Sequence, residues 1–539
     1  MSTSPAQLWK STDGGVTWTE LGGTPLSSNL LDFAVDPENP TTIFVTRGGD
    51  TGNGNPDDGT YKSTDGGMTF TQVSTHRGIV YVKFDQDSVV RVLDMNGEEI
   101  SYGTPDVFQS TDGGNTWSLI TTASSFHTTA PSWPTFSYGI GYAYCKSVAH
   151  DPSNSNRYYW AGDQWVYMSS DGMADWYPDY TAESSPGSGR WRGAGISNAV
   201  ALNLSISEDN NNVIYAGYAD IGLWLSTDGG DTWANINDPN YTQSWHGNGG
   251  DAGTVLADPM RESVVWAANG DESGDVPYRQ LIKNTNTGAI GSWVLANTGL
   301  PVITDPKTGN PSNGDIEGLS LSYQSSVDNR TLYVCDNGDT YQSTNDGSSW
   351  TLVLSDGQGG TCNVTAVDRA NGNYVYSAGN DGFWKSTNGG TSWTHSTGTG
   401  LPAMGPGLPS IQWIAIDKSN PAWVYVTVFG SGQGLYRSED NGQTWTKLLT
   451  DDYLREVAVD PQNASILFVT SSRDFRAGGS PLTSTGVQRS TDGGVTWTQY
   501  NQGLSFPMAN ALAISSNYPQ WVFIGTPGNA FQRRDFPSN

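Results

Sequence analysis

Short runs of β-branched and aromatic residues, separated by turn residues, recur along the whole chain. One set reads Leu31-Asp-Phe-Ala-Val-Asp-Pro, Thr42-Ile-Phe-Val-Thr and Thr60-Tyr-Lys-Ser, with Phe70-Thr-Gln-Val after a polar turn. A second reads Leu454-Arg-Glu-Val-Ala-Val-Asp-Pro, Ile466-Leu-Phe-Val-Thr and Val487-Gln-Arg-Ser, closing with Trp497-Thr-Gln-Tyr. Each run has the length and composition of a strand, so each set predicts four strands. An Asp-Pro pair follows the first strand in both sets and recurs at Asp151 and Asp258. There the Asp can accept turn N–H groups and the Pro ends the strand.

The turn between the third and fourth runs carries a motif, S-T-[DN]-G-G-x-[TS]-[WF]. Clear copies begin at Ser11, Ser63, Ser110, Ser226, Ser386 and Ser490, looser ones at Ser343 and Ser438, and eroded ones at Ser169 and near Asn284. Their period, about 50 residues, suits one four-stranded blade of a propeller. The motif explains itself mechanically. The Asp carboxylate accepts the turn's own N–H groups, and Gly supplies positive φ. The Trp is an apolar plug against the next blade, which gives nine tryptophans, Trp18, Trp117, Trp233 and Trp497 among them, a structural role. The chain therefore reads as all-β, a propeller of about ten blades spanning residues 1–539 as one domain. Segment 1–24, with Leu8-Trp-Lys-Ser and Trp18-Thr-Glu-Leu, is expected to complete the last blade and hide its edge. The alternative is two smaller rings.

Composition narrows the function. The formal charge of −28 excludes a nucleic-acid footprint and an anionic membrane surface as partners. No apolar run is long enough to span a bilayer. The N-terminus shows no basic-then-apolar leader. Cys335 and Cys362 fall on successive repeats and can pair, which leaves Cys145 free. No zinc-protease, serine-esterase or nucleotide-loop motif is present. No cofactor is expected. Two acidic loops, from Arg47 to Asp58 and from Asn269 to Asp275, offer hard oxygens for Ca²⁺ without the spacing of a known calcium loop.

The repeat resembles the Asp-box (BNR) repeat of three families. Sortilin-like receptors use it in a ten-bladed propeller, xyloglucan-directed glycoside hydrolases in two seven-bladed propellers, and sialidases in a six-bladed ring. The sialidase entry motif F/Y-R-I-P and the cysteine-rich module of the sortilin family are both missing here. The segment Tyr215-Ala-Gly-Tyr-Ala-Asp-Ile-Gly-Leu-Trp-Leu-Ser is similar to the xyloglucanase segment Y-A-R-T-D-[VI]-G-G-x-Y/W-R. That resemblance implies a catalytic carboxylate at Asp220. The chain departs from it with Gly217-Tyr218 for Arg-Thr and Leu223 for the second Gly, and the segment lies mid-chain. The resemblance also implies secretion, to the extracellular space or cell surface.

Function in a propeller gathers in the loops between strands two and three and between blades. Three long loops stand out: 118–144 with Trp133 and Tyr138, 177–197 with Trp191, and 235–253 with Trp245 and His246. Rings that stack on sugar faces, beside carboxylates, are what a glycan groove requires. Hydrolysis needs one carboxyl as acid and one carboxylate to activate water. Asp220 and Asp251, on adjacent repeats, form the candidate pair, with Asp315 in reserve. The expectation is a glycan-active or glycan-binding propeller. Its rival is a non-catalytic ring that binds protein or peptide as the sortilin propeller does, or a surface-structural one.

Overall fold

The structure, a computed structural model, describes residues 8–21, 30–48, 58–82, 89–94, 106–121, 125, 127, 147–154, 156–161, 166–179, 181–193, 199–219, 221–241, 250–270, 280–304, 311–312, 316–357, 360–396, 400–405, 407–473, 484–516 and 520–536. Among them every regular element longer than a turn is a strand. The chain divides into two compact units, one of residues 1–182 with 193–197, the other of 183–192 with 198–539.

The first unit holds three four-stranded antiparallel sheets, whose innermost strands are Leu30–Val35, Gly78–Val82 and Ser147–His150. It also holds the hairpin Leu8–Lys10/Thr19–Leu21, whose Leu8 and Leu21 pack on Ile43 and Val45. Among the described residues the second unit holds seven blade sheets, six of four strands and a last one of three, besides the short pair Ile303–Thr304 and Pro311–Ser312. Their innermost strands are Ala201–Ile206, Asp251–Asp258, Ile316–Leu321, Val364–Val367, Ser410–Ile416, Leu454–Val459 and Ala511–Ile514. Each innermost strand lies against that of the next sheet, and the seventh lies against the first. The second unit is therefore a closed seven-sheet propeller.

The β-propeller expectation holds, but its ring closes at seven sheets rather than at about ten. Closure runs through residues 199–201 and 525–530. Ala201 N–H donates to the Thr526 carbonyl at 3.0 Å, and Ala530 N–H to the Ala199 carbonyl at 2.9 Å. Small side chains permit it. A Cβ on Gly525 would stand 2.9 Å from the Cβ of Ala511 and 3.0 Å from that of Ala201. The last sheet thus meets the first directly, and in the first unit Leu8–Lys10 and Thr19–Leu21 pair with each other.

The repeated hairpin has the expected mechanics. In the fifth sheet of the ring, Ser438 Oγ donates to Asp440 Oδ1 (2.8 Å) and accepts from Gly442 N–H (2.7 Å). Asp440 in turn accepts Thr444 N–H on Oδ1 (2.8 Å) and the Thr444 hydroxyl on Oδ2 (2.6 Å). Burial pushes the Asp440 carboxyl up, but these bonds outweigh it and hold it at about 2. Two of the hairpin tryptophans plug a seam: Trp293 and Trp350 donate their indole N–H to the carbonyls of Ile236 and Ala296, just beyond the preceding sheet, whereas Trp18 is 59% exposed and donates to the Gly15 carbonyl of its own hairpin. Cys335 and Cys362 form a disulfide between the third sheet and the link to the fourth. Cys145 lies outside the described residues.

Two hairpins carry Asn in the Asp position and keep the pattern. Asn388 Oδ1 accepts Ser392 N–H at 2.9 Å, and its Nδ2 donates to Ser392 Oγ at 2.8 Å. Asp440→Ala should therefore lower the stability of the ring by about 1–2 kcal/mol, the usual cost of losing such a cap, and Asp440→Asn by well under half of that. Denaturant unfolding followed by tryptophan fluorescence would measure both.

Candidate functional site

The segment that carries the xyloglucanase-like motif forms the second and third strands of the ring's first sheet, Ile214–Tyr218 and Gly222–Ser226. Its departures from that motif have physical reasons. A Cβ on Gly217 would stand 2.2 Å from the Ala252 carbonyl oxygen, so no arginine fits there with the second sheet in place. Tyr218 is buried edge-on against Phe531 of the seventh sheet, 5.3 Å between ring centroids, and burial pushes its hydroxyl up. Leu223 packs into the core between the first and second sheets.

Asp220 lies outside the described residues, while Asp251 is half-buried at the start of Asp251–Asp258, opposite Gly270. Their sequence neighbours are tied together. Ile221 and Gly250 form a parallel bridge, and Gly222 N–H donates to the Gly250 carbonyl at 2.8 Å. The Ile221 carbonyl is held by Asn237 Nδ2 at 2.8 Å and Trp224 Nε1 at 3.1 Å. The loop after the second strand of one sheet is thus fastened to the entry of the next sheet's innermost strand.

Trp191 does not face solvent. It exchanges two backbone hydrogen bonds with Trp233, at 2.8 and 2.9 Å, and is only 6% exposed. It extends the outer edge of the first sheet beside a hairpin tryptophan, so its ring is closed to a sugar face. Trp133, Tyr138, Trp245, His246 and Asp315 lie outside the described residues. Of the carboxylates of the first acidic loop, Asp58 is described, and it pairs with the buried Arg77 at 2.8 Å. Residues 271–275 of the second lie outside. Among the described residues no group of three or more metal-ligating side chains is gathered.

Two features of the ring had no motif to announce them. The first is the central channel, a cavity of about 440 Å³ lined by side chains such as Leu204, Leu256, Leu319, Ile416 and Val459. At one end Glu208 reaches across it. Glu208 accepts the Tyr323 hydroxyl at 2.7 Å and Arg369 Nη1 at 2.5 Å, with Lys418 Nζ at 3.8 Å. Burial pushes the Glu208 carboxyl up, and the Arg369 and Tyr323 bonds with the two cationic charges bring it below its ordinary value. Each of the four residues stands two positions beyond its innermost strand, in the first, third, fourth and fifth sheets. Aligning the repeats on that strand would have found them.

The second is Glu456, buried in the innermost strand of the sixth sheet. Its Oε2 accepts Leu512 N–H of the seventh sheet at 2.7 Å. Asn203 does the same for Val255 N–H at 3.0 Å between the first and second sheets. Burial pushes the Glu456 carboxyl up to about 8. The folded chain therefore keeps a proton that the unfolded chain has released above about 4.5. Stability should then fall as pH rises through the window from about 4.5 to about 8, by one proton's worth of slope. Glu456→Gln should fold and lose that share, as denaturation midpoints across the window would record.

Comparison with known proteins agrees with the propeller. A family model, the DUF6242 beta propeller domain, matches residues 310–531. A xyloglucanase of Hypocrea jecorina (strain QM6a) is 25% identical, over 98% of this chain and 70% of its own length. A xyloglucanase of Paenibacillus sp is 22% identical over 98% of this chain and 50% of its own length. The crystal structure of a GH74 enzyme of Niastella koreensis covers 96% of this chain and 93% of its own at 17% identity and a TM-score of 0.34. The chain is thus a β-propeller that resembles xyloglucanase-type hydrolases, and it spans half the length of the second of the two xyloglucanases.

Proposed function

We propose that this chain is a secreted, carbohydrate-active propeller that hydrolyses a β-glucan or xyloglucan-type polysaccharide, with Asp220 and Asp251 as its carboxylate pair. The observation that carries the reading is the bridge between Ile221 and Gly250, which ties together the immediate neighbours of the two aspartates on adjacent sheets. Similarity to two xyloglucanases over 98% of the chain supports the substrate class. The Cys335–Cys362 disulfide supports an oxidising, extracellular setting. In the inverting form of the chemistry, one carboxyl protonates the leaving oxygen while the other takes a proton from the attacking water, across roughly 6.5–9.5 Å. Trp133, Tyr138, Trp245 and His246 supply the stacking and polar contacts in this reading.

The test is release of reducing ends from xyloglucan and mixed β-glucans, with the anomer formed first read by NMR. Asp220→Asn and Asp251→Asn should each lower kcat by at least about a hundredfold while leaving polysaccharide binding in place. Unchanged cleavage in both variants would remove this pair from the mechanism. The channel, lined by both apolar and polar side chains, favours a second reading, a ring that binds a peptide or protein without cleaving anything. That reading gains if the chain retains no glycan and releases no reducing ends.

A further inference from the structure

At one edge of the ring's third sheet, two acidic residues face each other with no charge to balance them among the described residues. Leu332–Asp336 and Asp339–Ser343 form a hairpin whose turn, Asn337-Gly338, has φ of 53° and 76°, the left-handed pair of a tight two-residue connection. Asp336 and Asp339 are direct partners across that ladder. Side chains alternate along strands, and Val334 and Tyr341 pack against Trp266, Ala268 and Leu281 of the second sheet. Both aspartates therefore face the second sheet, while Cys335 faces the other way and is tied to Cys362.

Asp336 is fully buried (0% exposed), and among the described residues no hydrogen-bond donor reaches either of its carboxylate oxygens. Oδ1 of Asp339 is also buried without a donor, although the residue as a whole is half-exposed. Among the described residues Tyr341, buried on the same face, is the other titratable group near them. Burial, and then the like charge of Asp339, push the Asp336 carboxyl up to about 8.

The opposite end of the same seam shows what compensation looks like. There Asp258 is held by Arg330 and Arg261, and Asp346 by Arg261 and Lys283. Like charges placed directly opposite in a sheet destabilise it, and a buried carboxylate without donors costs several kcal/mol in general. A hard divalent cation answers both problems, since two carboxylates offer up to four oxygens at the geometry calcium accepts, with backbone carbonyls and water completing the shell. We infer that Asp336 and Asp339 form a calcium-type cation site at the seam of the second and third sheets, entered past the half-exposed Asp339. A two-carboxylate site implies modest affinity, on the order of 10⁻⁴–10⁻³ M.

Thermal unfolding of the full chain in CaCl₂ against a chelator tests this independently of any hydrolase activity. Calcium should raise the midpoint by several degrees at about pH 9 and by less at about pH 6, because a proton competes for Asp336. Asp336→Asn should lose the calcium response and, in chelator at the higher pH, be more stable than the wild type. Asp339→Asn, at a half-exposed position that tolerates change, should lose the response as well, and Asp452→Asn should keep it. No calcium shift at the higher pH would overturn the site. So would a full shift that survives Asp339→Asn, or a stabilised Asp336→Asn beside a calcium-blind wild type, which would assign the pair to a proton alone.

Discussion

The fold depends on one contact repeated from sheet to sheet: a large side chain of one sheet pressed against a hairpin glycine of the next. A Cβ on Gly347 would meet Trp266 at 2.9 Å, on Gly390 Tyr333 at 3.1 Å, on Gly442 Phe383 at 2.4 Å, and on Gly494 Leu448 at 2.7 Å. The same contact closes the ring, with Gly230 of the first sheet against Phe523 of the seventh at 2.7 Å. These glycines have positive φ, so turn geometry already favours them. The neighbour's large side chain adds a second constraint that turn geometry does not contain. Apolar burial between sheets thus fixes the spacing that lets the Ser–Asp–Thr hydrogen bonds of each hairpin form where they do.

That double duty explains why so much of the fold was readable in the sequence. The hairpin, the four strands around it and the plugging tryptophans are all set by residues within one repeat. The disulfide is a contact between neighbouring repeats, one step further out, and it too was legible. Ring closure was not. Leu8-Trp-Lys-Ser has the pattern of a third strand, and nothing local says which sheet it joins. The decision rests on Ala201, Ala511 and Gly525, whose only distinguishing property is lack of bulk. Small residues at a distance carry no periodic signal.

The candidate site divides along the same line. The motif around Asp220 was visible because it is contiguous, and the tie from Ile221 to Gly250 brings the neighbourhood of Asp251 to it. Trp191 misled because a tryptophan in an irregular loop looks like a ligand platform. Its backbone pairing with Trp233, more than forty residues away, is what buries it. The Glu208 clasp is more distant still, since Tyr323, Arg369 and Lys418 come from three other sheets. Each residue taken alone is an ordinary polar group after a strand. Only the common offset from the innermost strand, compared across repeats, would have put them at one mouth of the channel.

Acidic residues make the deepest use of this architecture, because a chain with net charge −28 must place carboxylates at every level of burial. Hairpin acids such as Asp440 stay ionised because hydroxyl and N–H donors surround them. Asp258 stays ionised inside a seam because two guanidinium groups meet it there, and Asp346 beside it is paired with Arg261 and Lys283. Glu456 is buried with one backbone donor, and the charge of Arg455 does not offset that burial, so it gives up its charge instead, and Asn203 in the equivalent position shows that the bond itself needs only a neutral acceptor. Asp336 fits none of these arrangements. Among the described residues no donor reaches it, and the charge that acts on it is that of a second carboxylate. The three solutions found elsewhere define what a fourth must supply, positive charge from outside the chain.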